Sequence, residues 1–473
     1  MAKSDAGVLL SFYGDDFSGS AATAETLTET GVPTMLFTQP PTADFLAGHF
    51  PQARAIGVAG TARTLAVDEL ESHLVPLFSA MEGCRAPLFL YKVCSTFDSS
   101  AWIGSIGRAM EIGMEVLSAG LVPVLAGAPS LGRFTVFGHH FAALGQEAVY
   151  RLDRHPSMAN HPVTPMKESD LRLHLAEQTE LRSGSIDVLA LAKGKNEIQR
   201  LLDEFIAESI PVIFLDCLFE EHLDTACQAI WERASSEGRV FLVGSHEVGY
   251  GLGHAWREAG LLPTSGIARD DRSASDKGPL FVLSGSCATV TGEQIRWAAQ
   301  NGFAEVEVRP RLLLDPARRL SEQGRVIEAA VAALHAGDSV VAHSAVGTDD
   351  VRIDMVKETA HELALDHESA NEILGRALGE IALNTLQLSG AKRFVVAGGD
   401  TAGRVQVPLR TRALQVARSI GVPAPLCYMY SDLASINGLE VAFKGGQVGT
   451  EEYFGRVRAA RTQDFETAAL GSF

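Results

Sequence analysis

Two adjacent carboxylates are the most distinctive reactive groups in the sequence. Asp15 and Asp16 stand in the segment Gly14-Asp15-Asp16-Phe17-Ser18-Gly19, which follows the apolar run Val8–Phe12 and precedes a predicted helix over Ala21–Thr30. One carboxylate could serve as a general base while the other binds a metal ion or a hydroxyl group. A helix cap explains one of the acids but not the pair with its flanking glycines. We therefore interpret Asp16 and Asp15 as catalytic residues.

A second polar cluster combines a cation, several hydroxyl groups and a carboxylate. Lys92, Ser95 and Asp98 lie together in the segment Tyr91–Ser100. Lys92 suits a carboxylate or phosphate ligand, and the hydroxyl groups with Asp98 suit the hydroxyl groups of a sugar. Arg63, after another apolar run, is a further candidate for binding an anion. The alternative for this cluster is a turn rich in Ser and Thr with a lysine that faces solvent.

Histidines form a third group, in Gly138-His139-His140 and in the segment that begins at His161. They lack the i, i+4 spacing of a zinc-binding helix, and no thiolates are near them in sequence. A neutral hydrogen-bonding role is therefore favoured over a metal site for His139 and its neighbours.

Glycine-rich turns follow apolar runs in the second half of the chain. Gly398-Gly399-Asp400-Thr401 follows Arg393–Ala397, Ser284-Gly285-Ser286 follows Leu280–Leu283, and Gly446 lies in a third such turn. Glycine lets a phosphate approach the backbone, and Asp400 could hold magnesium or orient a ribose while Thr401 donates to phosphate. Each turn alone could be structural, but together they favour a nucleotide site.

Several common nucleotide motifs are absent. There is no G-x-x-x-x-G-K-[ST] segment, no G-x-G-x-x-G after the first apolar run with an acid about 20 residues on, and no G-x-S-x-G elbow. The glycines in Gly249-Tyr250-Gly251-Leu252-Gly253 are interpreted as a turn and the start of a helix.

The elements that would position these residues alternate along the chain. Short runs that are apolar on both faces favour buried strands of a parallel sheet, and the amphipathic segments between them favour helices. The fold class is therefore predicted as α/β, with two domains that each contain a mostly parallel sheet flanked by helices. The other predicted strands include Pro87–Val93, Val122–Ala126, Val212–Leu215, Val240–Val243 and Ser339–Ala342, and the predicted helices include Leu201–Glu208, Asp224–Ser235 and Arg325–His335.

The length of 473 residues argues for two domains, because a single core seldom grows beyond about 250–300 residues. Thr264–Lys277 is polar, without apolar periodicity, and is the best candidate linker. We place the domains at residues 1–263 and 278–473. A second loop-like stretch, Arg151–Lys167, is interpreted as an ordered excursion.

The charge and the cysteine content indicate which partners and which cellular compartment to expect. Forty Lys and Arg against 58 Asp and Glu give a formal net charge of −18, which disfavours nucleic-acid and membrane partners. The six scattered cysteines suit a reducing compartment, and the sequence offers no transmembrane helix or signal peptide pattern. A cytoplasmic protein is expected.

These segments, in their order and spacing, resemble the four-carbon acid sugar kinase family over essentially the whole chain. The Ser95–Ser99 and His161–Met166 segments look like the branch that acts on 3-oxo-tetronate. Gly14, Ser18 and Asp400 stand where the family often has Ala, Thr and Glu, so a branched acid such as 3-oxo-isoapionate remains an alternative.

The resemblance implies an N-terminal domain that binds a sugar acid and a C-terminal domain that binds ATP. It implies ATP and Mg2+ as cofactors and transfer of phosphate to a terminal hydroxyl group. Asp16 or Asp15 would be the base, and ATP would be lined by Ser284 or Ser286, by Gly398 to Thr401, and by Gly446. The residues that would contact the acid are Arg63, Lys92, Ser95, Asp98 and His139.

Two other classes are weighed against this kinase. A nicotinamide-dependent hydroxy-acid dehydrogenase lacks its dinucleotide fingerprint here. A non-catalytic sugar-acid-binding protein would not need the Asp15–Asp16 pair beside its ligand. A homodimer is considered as the oligomeric state, which the sequence does not decide.

Overall fold

The computed structural model describes residues 7–144, 148–161, 163–262, 278–420 and 424–460. The chain divides into two compact units, Met1–Ala268 and Arg269–Phe473. The linker predicted at Thr264–Lys277 lies outside the described residues. Both units are built mainly from parallel strands with helices between them, which confirms the predicted α/β class.

The first unit is organised around a parallel sheet whose first strand in the sequence is buried along its whole length. The sheet order is β2-β3-β1-β4-β11-β5-β10-β9, so β1 lies between β3 and β4. The strands of this unit are β1 (Leu10–Gly14), β2 (Thr34–Phe37), β3 (Ala55–Ala59), β4 (Leu88–Lys92), β5 (Val122–Leu125), β6 (Arg133–Val136), β7 (His139–Leu144), β8 (Ala148–Arg151), β9 (Ser183–Ile186), β10 (Val212–Leu215) and β11 (Val240–Gly244).

Helices cover this sheet, and two of them pack unusually close. They are α1 (Phe17–Glu29), α2 (Ala43–His49), α3 (Leu70–Glu82), α4 (Ile106–Leu117), α5 (Leu171–Ala176), α6 (Val188–Leu191), α7 (Lys195–Ala207), α8 (Glu220–Glu237) and α9 (Val248–Glu258). A Cβ atom on Gly249 would lie 2.2 Å from Oγ1 of Thr26, and one on Gly253 would lie 2.0 Å from Oγ1 of Thr30. The glycines thus let α9 approach α1. The predicted start of a helix is confirmed, because α9 begins at Val248, whereas the turn predicted at Gly249–Gly253 is wrong because this segment is helical.

A small antiparallel sheet, β6-β7-β8, stands apart from the main sheet. Phe137 and Gly138 join β6 to β7, and both have positive φ, at 51° and 80°. Two such residues between paired strands form the type of hairpin that matches the twist of a sheet. The stretch after β8 is ordered where it is described, since Leu152 and Met166 are buried against Ala142.

The sheet of the second unit has the order β13-β14-β12-β15-β18-β17-β16, so β12 lies between β14 and β15. The pairs from β13 to β18 are parallel, while β17 pairs antiparallel with both β18 and β16. Its strands are β12 (Leu280–Ser284), β13 (Phe303–Glu307), β14 (Ser339–His343), β15 (Arg393–Ala397), β16 (Thr411–Arg418), β17 (Leu426–Ser431) and β18 (Glu440–Lys444). Its helices are α10 (Thr289–Gln300), α11 (Pro310–Leu314), α12 (Arg319–Ala336), α13 (Val351–Glu362), α14 (His367–Ser389), α15 (Gly399–Val405) and α16 (Tyr453–Ala459).

The predicted strands agree with the structure more closely than the helix starts do. The strand at Val212–Leu215 has the predicted bounds, whereas the helix predicted at Ala21–Thr30 begins earlier, at Phe17, and the one predicted from Leu201 begins at Lys195. Among the described residues, no helix is both long enough and apolar enough to cross a membrane.

Candidate active site

The carboxyl edge of the first sheet collects the charged residues that the sequence singled out. Gly14 at the end of β1 is paired with Ala59 of β3 on one side and with Lys92 of β4 on the other. The chain crosses from one side of β1 to the other between β3 and β4, and ligands of open α/β sheets bind at such a switch point. Asp15, Asp16, Arg63 and Lys92 therefore meet at one place.

These four side chains form a compact ion-pair network, which we call the charged quartet. Arg63 donates from Nε to Oδ2 of Asp15 at 3.1 Å and from Nη2 to Oδ1 at 2.6 Å. The same Nη2 is 2.7 Å from Oδ1 of Asp16, and Nζ of Lys92 donates to that oxygen at 2.8 Å. Nζ of Lys92 is also 3.7 Å from Oδ1 of Asp15. The two acids are thus clamped by the two cations.

The two aspartates are not equivalent. Asp16 is the N-cap of α1, because its Oδ2 accepts a hydrogen bond from the backbone of Gly19 at 3.1 Å. Its side chain is 26% exposed, against 3% for Asp15, so of the two aspartates it is Asp16 whose side chain is accessible from solvent. The cap and the charged pair are therefore both present, and the cap accounts for Asp16 alone.

The pKa values of Asp15 and Asp16 also shift in opposite directions. Burial raises the pKa of Asp15, although Arg63 and Lys92 oppose that shift. Burial also acts to raise the pKa of Asp16, but the charges of Arg63 and Lys92 and its hydrogen bonds outweigh it, so that pKa is lowered. Asp16 is therefore a permanent anion that can accept a hydrogen bond.

The loop after β4 brings hydroxyl groups to the same edge. Oγ1 of Thr96 donates to Oδ1 of Asp98 at 2.8 Å and lies 2.9 Å from Sγ of Cys94. Phe97 is buried with φ of 56°, a left-handed conformation that costs energy for a residue other than glycine. Ser95 is half-buried, and its hydroxyl group makes no hydrogen bond within the described residues.

Two neighbouring histidines have different partners. Nε2 of His140 lies 2.7 Å from the carbonyl oxygen of Ser95, so it carries the proton, and Nδ1 accepts from Thr135. Burial lowers the pKa of His140 to about 4, so this ring is neutral. His139, the residue predicted to bind substrate, is half-buried, and its Nδ1 lies 2.9 Å from Oγ of Ser169. Thus His140, rather than His139, is tied to the Ser95 loop.

Two further carboxylates lie at the same edge without having been predicted as site residues. Asp216, after β10, accepts backbone hydrogen bonds from Phe137, Gly138 and Val188, and burial raises its pKa to about 6. Glu247, just before α9, accepts from Ser130, and burial raises its pKa to about 7. Neither residue is part of a local pattern, so only the fold reveals their placement.

In the second unit, three predicted segments meet at the carboxyl ends of the adjacent strands β12, β15 and β18. A Cβ atom on Gly446 would lie 2.6 Å from Oγ of Ser286, and one on Gly398 would lie 3.3 Å from the backbone nitrogen of Ser286. A Cβ atom on Gly285 would lie 2.2 Å from Oγ1 of Thr401. We call Ser284–Ser286, Gly398–Thr401 and Gly446 together the glycine cradle.

The cradle is open where a ligand would enter. Gly399 begins α15, is exposed, and a Cβ atom there would meet nothing within 4 Å. Asp400 is exposed in the first turn of the same helix. By contrast Ser284 is fully buried and Ser286 and Thr401 are nearly so, which makes these residues the floor of the cradle.

A buried lysine lies beneath this floor. Lys444 ends β18 and has no exposed surface, and its Nζ donates to Oγ1 of Thr291 at 2.9 Å. Thr291 in turn donates to the carbonyl oxygen of Gly446 at 2.7 Å. Burial lowers the pKa of Lys444 to about 7. Its position directly before Gly445-Gly446 was visible in the sequence, but its burial was not.

The second unit also contains a cavity of about 420 Å3 beyond the ends of β13 and β14. Arg309, Arg311 and Arg352 line it together with Glu307 and Asp350. Arg352 is paired with Asp350 at 2.6 Å. No group of three or more His, Cys, Asp and Glu side chains that could hold a metal ion occurs in the part of the chain that the structure describes.

Comparison with known proteins identifies both units. The sugar-binding N-terminal domain family matches residues 10–252, and the nucleotide-binding C-terminal domain family matches residues 281–454. The chain is 40% identical to the 3-oxo-isoapionate kinase of Paraburkholderia graminis over 457 residues, which cover 96% of this chain and 95% of the relative. The chain belongs to the four-carbon acid sugar kinase family.

Other similar proteins support the same family and fold. The 3-oxo-tetronate kinase of Pseudomonas savastanoi pv. phaseolicola is 30% identical, with 96% of this chain and 98% of the relative covered. A solved structure from Salmonella typhimurium LT2 has a TM-score of 0.75 at 23% identity and covers 96% of this chain and 98% of its own, which supports the fold. The family confirms a kinase that uses ATP, and neither the dehydrogenase nor the non-catalytic alternative is supported.

Proposed function

We propose that this enzyme transfers the γ-phosphoryl group of ATP to the terminal hydroxyl group of a 3-oxo sugar acid, with 3-oxo-isoapionate as the first candidate. The observation that carries the proposal is the charged quartet, in which the partly exposed Asp16 is fixed by Arg63 and Lys92 at the ligand edge of the sugar-binding unit. The higher identity to the 3-oxo-isoapionate kinase, 40% against 30%, favours the branched acid over 3-oxo-tetronate.

On the acceptor side, Asp16 receives the hydrogen bond of the attacking hydroxyl group. The oxygen of that group forms a bond to the γ-phosphorus, the bond from phosphorus to the β-γ bridging oxygen breaks, and the proton passes to Asp16 as ADP leaves. A lowered pKa suits this role, because phosphoryl transfer depends on positioning and charge more than on early proton removal. Asp15 positions Arg63 from beneath.

The rest of the acid contacts the surrounding polar residues. Arg63 and Lys92 supply positive potential, and Ser95, Asp98 and His139 contact its hydroxyl and oxo groups. The unpaired hydroxyl group of Ser95 and the half-buried carboxylate of Asp98 support this assignment.

On the nucleotide side, we infer that the glycine cradle holds the phosphates of ATP. Gly398 and Gly399 allow close backbone approach at the start of α15, while Ser284, Ser286, Thr401 and Gly446 line the floor. A magnesium ion on the nucleotide would neutralise phosphate charge during transfer. Asp400 fits that ion, because its carboxylate is exposed beside the open glycine and has no hydrogen bond among the described residues.

A substrate panel tests the proposal. ADP formation is measured with 3-oxo-isoapionate, 3-oxo-tetronate, threonate and erythronate at saturating ATP and magnesium. The proposal expects acid-dependent ADP formation with kcat/KM highest for 3-oxo-isoapionate. Equal or greater kcat/KM for threonate or erythronate would contradict the 3-oxo assignment, and hydride transfer from a nicotinamide cofactor would contradict the reaction itself.

A further inference from the structure

The charged quartet leaves the carboxylate of the substrate without an obvious partner. Arg63 uses Nε and Nη2 on Asp15 and Asp16, and Lys92 is directed at the same two acids. The two cations are largely matched by the two anions that they clamp. A bound acid needs a further positive charge, because an unpaired carboxylate is costly to remove from water.

Arg133 supplies such a charge. Its Nε is buried without a hydrogen-bond partner, and Nη1 donates only to the uncharged carbonyl oxygen of Leu131. No carboxylate lies within ion-pair distance of it among the described residues. Burial lowers the pKa of this guanidinium group, and the charge of Asp98 acts against that shift.

The surroundings of Arg133 coincide with the acid-binding edge. Arg133 begins β6, which pairs with β7, and β7 carries His140, whose Nε2 donates to the carbonyl oxygen of Ser95 in the loop after β4. The charge of Arg133 also acts on His140 and His246. His246 is influenced in turn by Lys92 and Asp16, and burial lowers its pKa to about 3. His246 is therefore neutral, and the charges of both Arg133 and the charged quartet act on it.

The backbone of Arg133 is held firmly. Its nitrogen and oxygen both pair with Ala128, at 3.0 and 2.9 Å. Gly132 before it has φ of 65°, and a Cβ atom there would lie 2.6 Å from Cβ of Ala143, which only glycine avoids. The backbone that carries the guanidinium group is therefore preorganised, and the hydrogen bond from Nη1 to Leu131 restricts the side chain as well.

We propose that Arg133 binds the carboxylate of the sugar acid, while Arg63 and Lys92 chiefly hold the aspartates for the reacting hydroxyl group. This inference rests on the proposed function, since it names the subsite that selects an acid over an uncharged sugar. It also divides the site into two parts, one at Arg133 that binds the carboxylate of the substrate and one at Asp16 that binds the reacting hydroxyl group.

The kinetic test compares Arg133→Met, Arg133→Lys and the matched control Arg151→Met. Arg151 lies in the same small sheet, is exposed, and pairs with Asp153. Arg133→Met should raise the KM for 3-oxo-isoapionate by ~10–100-fold, because a charge-assisted hydrogen bond is lost, with kcat and the KM for ATP nearly unchanged. Arg133→Lys should recover part of the loss, and Arg151→Met should behave as wild type.

A binding test that needs no phosphoryl transfer separates this inference from the proposed reaction. Calorimetry measures the affinity of the wild-type and Arg133→Met enzymes for threonate and for threitol, which lacks the carboxylate. Wild type should prefer threonate, and Arg133→Met should lose that preference. If wild type shows no preference, or if Arg133→Met keeps it, the inference is wrong. If the preference depends on Arg133 but no acid is phosphorylated, the proposed function fails and the inference stands.

Discussion

Asp15 and Asp16 show how adjacent residues with one chemical identity acquire different tasks. Asp16 is partly exposed, caps α1 and stays ionised, whereas Asp15 is buried beneath Arg63. Adjacent residues at the end of a strand project in different directions, so the structure places one carboxylate at the surface of the site and the other beneath it.

Asp16→Asn is predicted to lower kcat by roughly 10²–10⁴ with the fold retained, because asparagine keeps the helix cap but loses the charge that accepts the proton. Asp15→Asn is predicted to cost about 3 kcal/mol of stability, since it leaves the charge of Arg63 partly unpaired in a buried site. Steady-state kinetics and thermal unfolding of both variants distinguish the two roles. Near wild-type kcat for Asp16→Asn at saturating magnesium would rule out its catalytic role.

Glu247 gives a prediction about pH. Its pKa is raised from 4.5 to about 7, chiefly by burial, so the folded protein keeps a proton that the unfolded chain has already released in this range. The higher pKa of Glu247 in the folded protein therefore stabilises the fold fully below pH 4.5. This stabilisation is lost as the pH rises through 7. The loss amounts to roughly 3 kcal/mol at pH 8, from about 1.4 kcal/mol for each unit by which the pKa is raised.

Glu247→Gln should remove that loss. The Tm of the variant minus that of wild type is expected to increase from pH 5 to pH 8. Glu115→Gln, on the exposed face of α4, serves as the control and should show no such trend. A difference in Tm that is constant with pH would mean that Glu247 is not protonated in the folded protein near pH 6.

At the scale of elements, the start of α15 is predicted to control nucleotide binding. Gly399→Val fits the folded protein, because nothing lies within 4 Å of its Cβ position, but it places methyl groups where a phosphate would approach. The affinity for ATP should fall at least ~10-fold with Tm nearly unchanged. Gly403→Val, on the same helix with equally open space, should leave the affinity unchanged. Equal affinities for both variants would place the phosphates elsewhere.

Strand β18 carries a second prediction through Lys444, whose amine is connected to the cradle by Thr291. With a pKa of about 7, much of this amine is neutral at pH 8, and nearby phosphates should raise its pKa. Calorimetry in buffers of different ionisation enthalpy should reveal proton uptake on ATP binding at pH 8. Lys444→Met should abolish the uptake, whereas the exposed Lys392→Met should not. Unchanged uptake in Lys444→Met would assign the proton to another group.

The sequence predicts elements and motifs better than it predicts contacts. Apolar runs located β1, β10 and β15 because buried parallel strands are apolar on both faces. The glycines of α9 were predicted to form a turn and the start of a helix. The turn is wrong because the role of these glycines, close packing against α1, is a long-range contact. The pairing of Arg63 with Asp15, and the hydrogen bond from His140 to the Ser95 loop, likewise depend on strand order rather than on local spacing.

At the scale of the whole molecule, the net charge of −18 makes local positive groups significant. An acidic protein that acts on an acid and on ATP must create positive potential within its sites. In the sugar-binding unit Arg133 is placed to provide it, because the cations of the quartet are matched by Asp15 and Asp16. In the nucleotide-binding unit the backbone amides of the cradle and Lys444 are placed to do so. Because salt screens buried charges poorly, a high salt concentration should weaken the binding of the acid and of ATP less than substitution of these cations does.

Transfer of phosphate from ATP to the acid can be observed most directly by 31P NMR of the reaction with 3-oxo-isoapionate. The proposed function predicts one phosphate monoester on the terminal hydroxyl group for each ADP formed, with little inorganic phosphate. The same reaction with Asp16→Asn should give that product at a rate lower by roughly 10²–10⁴. Release of inorganic phosphate without an ester, or an ester on a different hydroxyl group, would contradict the assignment of Asp16 to the terminal hydroxyl group of a 3-oxo sugar acid.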